Sequence, residues 1–303
     1  MHITRPQQAL CSDRSKVSTG VNPDDWIMPS LPIGSSLVSF HFFVNWDKTP
    51  PLVSKEVLMT RLVHFEPPES HMTTDEQALL GLFLASEVQC FEAIERACGP
   101  HGQRVRALLL PEVPISRIND ETPVWLVSRN DHGFGLAARS LKTLKRFIQD
   151  ESGGAVWVGA KGLTFGTSAV ECVLSKSDAA YPGDVDAVAC DTQGHIYFIA
   201  EYKKHTLDSP IGEHLAEKYY PKPDGRKYRR LDALVSHYRS SGSHIPFVIL
   251  YYSTKTPTVR LQMIGKMSTE KMDVVKDSGD IDIAGWSNAK VATVIAGWIG
   301  AVT

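Results

Sequence analysis

Between Pro182 and Lys203 the sequence places two apolar runs, Val185-Asp-Ala-Val-Ala-Cys190 and Ile196-Tyr-Phe-Ile-Ala-Glu-Tyr-Lys203, on either side of Asp191-Thr-Gln-Gly194. β-branched and aromatic residues favour strands, and Asp-Thr-Gln-Gly is turn chemistry, so the segment reads as an antiparallel hairpin. If Cys190 faces His195, Asp184 lies opposite Glu201 and Asp186 opposite Ile199. Side chains alternate along a strand, which puts Asp184, Asp186, Glu201 and Lys203 on one face; a slip of one residue would scatter them.

Carboxylates crowded on one face of an otherwise apolar hairpin repel each other, and burying them without partners is costly. A divalent cation relieves the crowding by taking oxygen ligands from both strands. Mg2+ suits such a site, because it accepts one or two carboxylates and fills its other positions with water and substrate phosphate. Lys203 is then placed to orient or deprotonate a metal-bound water and to screen charge growing on a phosphate. The chemistry this pattern fits is metal-dependent hydrolysis of a phosphodiester.

At these residues the chain resembles the PD-(D/E)XK nuclease superfamily, in particular type II restriction endonucleases and archaeal Holliday-junction resolvases. Asp186 matches the motif Asp, and Glu201-Tyr202-Lys203 matches the Glu-x-Lys; the likeness covers about residues 182–252. The strict Pro-Asp dipeptide is replaced by Pro182-Gly-Asp184-Val-Asp186, which makes Asp184 a rival metal ligand. The resemblance implies an αβββαβ core, Asp186 and Glu201 as ligands of Mg2+ with Mn2+ able to substitute, Lys203 as the group that activates water, and Glu171 or Glu151 as an auxiliary acid. It also implies cleavage of double-stranded DNA to 5'-phosphate ends and a homodimer, since cutting both strands calls for two sites.

After the hairpin, residues 203–230 hold eight Lys or Arg against four acids, with Tyr219, Tyr220 and Tyr228 interleaved. Lys204, Lys222, Arg226, Lys227, Arg229 and Arg230 are therefore candidate phosphate contacts. Arg139, Lys142 and Arg146 form a second cationic set, on one face of a helix expected over 136–149. Over the whole chain, 32 basic and 34 acidic residues leave a formal charge of -2. Any nucleic-acid surface is thus local.

Elsewhere, the first 70 residues are broken by Pro29, Pro32, Pro50, Pro51, Pro67 and Pro68 and read as loop-rich around one strand over 37–44. Thr74-x-x-Gln77 followed by Leu80, Phe83, Leu84, Val88, Phe91 and Ile94 predicts one helix over 74–98. Strands are expected over 104–110, 124–127, 155–158, 169–174, 185–190, 196–203, 245–252 and 259–264, and further helices over 226–239 and 289–302. The whole reads as an α/β fold, a central mixed β-sheet flanked by helices with an N-terminal α+β elaboration. Residues 1–135 form the expected recognition and dimerisation region, and 136–303 the nuclease core.

Five cysteines with no C-x-x-C pair suggest free thiols, and no basic segment feeds an apolar N-terminal run, so the cytoplasm is the expected compartment. No apolar run is long enough to span a membrane. Gly159-Ala-Lys-Gly-Leu-Thr-Phe-Gly166 lacks phosphate-loop spacing, so no ATP use is expected. Two rivals remain open: a structure-specific repair or recombination nuclease of the same superfamily, disfavoured in its RecB-like branch because the 226–239 helix has no Gln, and a DNA-binding protein that does not cut.

Overall fold

The computed structural model describes residues 1–17, 21–66, 74–157, 162–179, 181–222, 224–240, 242 and 244–300. Val158, the 159–161 part of the glycine-rich loop, Pro67, Pro68 and the helix end expected at 301–302 lie outside them. The chain forms two compact units, one made of Met1–Ser18 with Phe40–Asp184, the other of Thr19–Ser39 with Val185–Thr303. The boundary expected at 135/136 falls inside a strand. Each unit is α/β, built on a mixed sheet with helices against it.

In the first unit, β1 (His2–Thr4) pairs with the far end of β4 (Leu52–His64), and β2 (Ala9–Leu10) forms a small ladder with β8 (Phe165–Gly166). The main sheet runs from β3 (Ser36–Asn45) through β4, β5 (Arg104–Pro111) and β6 (Pro123–Asn130) to β7 (Gly133–Ser140). β3–β4, β5–β6 and β6–β7 are antiparallel, while β4 and β5 run parallel. That connection carries α2 (Glu76–Ser86) and α3 (Val88–Cys98), as a parallel crossover requires. Phe43, Leu58, Leu62, Leu108 and Leu110 pack under α4 (Leu141–Ser152) and α5 (Ala169–Leu174).

Several expectations need correction here. Pro50 and Pro51 border β4 rather than break it, so a long buried strand occupies part of the stretch read as loop. The helix expected over 74–98 is two helices bent by 72° at Glu87, and its N-cap is Asp75, whose side chain accepts from the Gln77 and Ala78 N–H groups, not Thr74. Residues 136–140 belong to β7, and the helix begins only after Ser140 caps it. The strand expected over 169–174 is α5, and over 155–157 only Val156 makes an isolated bridge, to Ala179. Cys11 and Cys172 form a disulfide, which corrects the expectation of five free thiols; Cys90, Cys98 and Cys190 are not disulfide-bonded.

In the second unit, β9 (Gly183–Cys190) and β10 (Ile196–His205) form the antiparallel hairpin. A long connection and α6 (Gly225–Arg239) then lead to β11 (Phe247–Ser253), parallel to β10. β12 (Thr258–Met267) and β13 (Met272–Asp277) extend the sheet antiparallel, and β14 (Ile281–Asp282) pairs with β12. One face, with Ala187, Ala189, Phe198, Ala200, Val248 and Leu250, packs on Trp26 and Ile27 of α1 (Asp24–Ile27) and on Val291, Ile295 and Ile299 of α7 (Asn288–Ile299). Period-two alternation consigns Val188, Ile199, Glu201 and Lys203 to the opposite face. Among the described residues no single helix is long and apolar enough to cross a membrane.

Candidate functional site

The hairpin register differs from expectation. Cys190 pairs with Ile196, an irregularity follows, and from Phe198 onward the partners run Phe198↔Ala189, Ile199↔Val188 and Ala200↔Ala187. The shift is by two residues, which preserves the face of every side chain and brings Asp186, not Asp184, level with Glu201. The ladder ends at Ala187. Beyond it the Asp186 carboxylate takes over, with Oδ2 accepting from the Tyr202 N–H at 2.6 Å. This hydrogen bond holds Asp186 against the backbone one residue from Glu201.

Glu201 is fully buried, with 0% exposure. Its Oε1 lies 2.5 Å from the Lys227 Nζ, which reaches down from the first turn of α6. Lys203 sits two residues along on the same face, with its Nζ 3.2 Å from the Asp224 carboxylate and 5.2 Å from the centre of the Tyr228 ring. Asp224 occupies the N-cap of α6 but makes no capping bond there; its carboxylate goes to Lys203. Tyr228, Leu231, Val235 and Tyr238 recur at helical spacing and are all buried, which fixes the rotation of α6 and so the aim of Lys227. The Tyr228 hydroxyl is buried with no hydrogen-bond partner among the described residues, and burial together with the charge of Glu201 pushes its pKa far above the usual phenol range.

On the opposite face, the Tyr202 hydroxyl donates to Asp24 Oδ1 at 2.8 Å. Burial, then the negative charges of Asp24 and Asp186, hold that phenol protonated well beyond its ordinary range. The segment between β10 and α6 is pinned by its own contacts: the Ala216 N–H donates to the Tyr251 hydroxyl, and His214 bonds both Tyr219 and Ser209. These contacts tie the 209–219 part of the connection to itself and to β11, and of the basic residues that follow, Lys227 reaches Glu201.

The other candidates fall elsewhere. Asp184 is exposed and belongs to the first unit, where its charge and that of Glu171 act on His41. Glu171 is occupied at the start of α5, with Oε2 accepting from the Thr167 N–H and hydroxyl, and Glu151 accepts from the Ser54 hydroxyl. Arg139 lies in β7, apart from the α4 helix that carries the exposed Lys142 and Arg146, so the three do not share a helix face. Of the later basic residues, Lys222 and Arg229 are exposed and Lys204, Arg226 and Arg230 half-buried. Sequence reasoning missed Asp224 as the partner of Lys203 and gave Lys227 only a DNA-contact role. The signal for both was their position at the start of the helix that follows Glu-x-Lys.

Among the described residues no three His, Cys, Asp or Glu side chains form a metal-binding group. The residues that could hold a metal are two carboxylates, Asp186 and Glu201, level with each other where the ladder ends, with the buried Tyr228 hydroxyl near Glu201. That composition fits Mg2+, which draws on few protein ligands and leaves positions to water and phosphate. Scans against protein-family models, curated proteins and solved structures return no match to this chain.

Proposed function

We propose that the chain is a Mg2+-dependent endonuclease of double-stranded DNA, of the type II restriction kind, acting as a homodimer in the cytoplasm. What supports this reading is the β9–β10 register, which brings Asp186 level with Glu201 where the ladder ends, with Lys203 two residues along from Glu201 on its face. The order antiparallel hairpin, α6, then a parallel β11 agrees with the later half of an αβββαβ restriction-endonuclease-like core.

Asp186 and Glu201 would hold the cation, which when bound supplies Lewis-acid stabilisation of the phosphate. The chain's own groups do the rest. Lys203 orients the attacking water, Asp224 fixes the Lys203 ammonium, and the Tyr202 N–H keeps the Asp186 carboxylate turned toward β10. Lys204, Lys222, Arg226, Arg229 and Arg230 contact DNA phosphates. With Mg2+ or Mn2+, the purified protein should cut plasmid DNA into discrete bands. A smear would replace specific with unspecific cleavage, and intact plasmid with every divalent ion tried would remove the nuclease reading. Assays with and without reductant are needed, because a cytoplasmic enzyme would meet conditions that open Cys11–Cys172.

One observation favours a second reading, a DNA-binding protein that does not cut. Glu201 and Lys203 both already have partners of opposite charge, Lys227 and Asp224. In that case DNA binding persists and no divalent ion gives cleavage.

A further inference from the structure

We infer that the Lys227 ammonium is the resting occupant of the cation position on Glu201, displaced when a divalent metal loads and then free to engage a substrate phosphate. The inference rests on the nuclease reading and adds a control step to it.

An ionised carboxylate buried as deeply as Glu201 needs a positive partner at all times. In this structure an ammonium lies 2.5 Å from Oε1. A metal bound to a carboxylate sits at about 2.1 Å from its oxygen. Two cations cannot crowd a single oxygen without strong repulsion, so loading the metal requires Lys227 to withdraw from Oε1. Lys227 is built to do so: its side chain is 37% exposed and hangs on a flexible stem. Lys203 is held differently, by Asp224 and over the Tyr228 ring. The two lysines thus divide the work, one fixed and one exchangeable.

The charge balance supports the exchange. In the resting site two carboxylates, Glu201 and Asp224, are paired with two ammonium groups, Lys227 and Lys203. Exchanging Lys227 for a divalent ion on Glu201 while the ammonium stays close moves this local balance from neutral to positive. That is the sign a phosphodiester requires. Metal and DNA then favour each other's binding, because a phosphate that takes Lys227 frees Glu201, and this coupling is reciprocal.

The test is a Mn2+ titration of the full chain followed by electron paramagnetic resonance, for wild type and Lys227→Met, combined with acetylation of wild-type Lys227 measured by peptide mass spectrometry. If the ammonium holds Glu201 in about nine molecules of ten, Lys227→Met binds Mn2+ about tenfold tighter. Mn2+ should also speed acetylation of Lys227 in the wild type. Equal Mn2+ affinity of the two proteins with unchanged acetylation overturns the inference and leaves the nuclease reading standing. Absence of Mn2+ binding by both proteins sinks the nuclease reading itself. Should Lys227→Met fail to fold, the acetylation rate of the wild type, with and without Mn2+, decides alone.

Discussion

Each unit buries a glutamate on a central strand and closes it with basic side chains, yet the two closures differ. Glu56 in β4, 3% exposed, is gripped by Arg104 at 2.5 Å on Oε1 and by Arg106 at 2.6 Å on Oε2, both from the neighbouring parallel strand. Glu201 is met on Oε1 by the ammonium of a lysine from a helix. Planar guanidinium groups from adjacent rungs of a sheet saturate both oxygens of a carboxylate. An ammonium on a long stem is a compact charge that can swing away. The first arrangement suits a group whose work is cohesion, the second a group that trades partners. On this contrast, changes to ionisable groups and cross-links in the first unit should move stability, and changes around Glu201 should move cleavage.

The sharpest break of that contrast is a matched pair of variants. Glu201→Gln should lower cleavage by about 10³-fold, the scale of losing a main charge-stabilising group. Glu56→Gln should leave cleavage per folded molecule unchanged and reduce stability by about 2 kcal/mol, below the usual figure for a broken buried pair because Arg104 and Arg106 reach solvent. Denaturant unfolding and plasmid cleavage read the two effects, and loss of cleavage in both variants would erase the distinction. Next in size, Lys203→Met should slow cleavage by about 10²-fold while DNA binding is retained. Undiminished cleavage would exclude Lys203 from the mechanism.

In the first unit, Cys172→Ser should lower stability by about 3 kcal/mol, since the disulfide constrains the unfolded chain. Thiol titration of the denatured, unreduced protein should find three thiols, those of Cys90, Cys98 and Cys190; five would show that the bond is not formed. A smaller effect belongs to His41. Burial lowers its pKa, against the opposing pull of Asp184 and Glu171. The unfolded chain then takes up a proton near pH 6.5 that the folded one refuses, so stability declines as the pH falls below about 6.5. Calorimetric melts between pH 7.5 and 5 should show this slope in the wild type and less of it in His41→Asn. Smallest is Arg229→Ala, which should weaken DNA binding and reduce the salt slope by about one. An unchanged slope would make that arginine a bystander.

How legible was all this in the sequence? The hairpin was readable because its strands alternate cleanly and its turn has turn chemistry, and an error of two in register is harmless to face assignment. The α6 helix was readable from Tyr228, Leu231, Val235 and Tyr238. By contrast, Val170, Cys172 and Leu174 are buried at a spacing of two, which imitates a strand in so short a segment. The better clue was Ser168-x-x-Glu171, a capping box in which the Ser168 hydroxyl accepts from the Glu171 N–H at 2.9 Å. β7 was hidden because Gly133 and Gly135 dilute its pattern and a helix follows it directly. The bend at Glu87 had no local marker; Glu87 is recruited by Arg61 at 2.6 Å, a contact distant in sequence. The disulfide joins residues 161 apart, a separation that no spacing rule addresses.

Where the β9–β10 rungs run out, a side-chain oxygen stands in for a backbone carbonyl. An amide oxygen can play the same part without bearing charge. Asp186→Asn is therefore a near-silent edit of the architecture: the strand end should stay stitched, melting should barely change, and the loss should fall on whatever needs the anion.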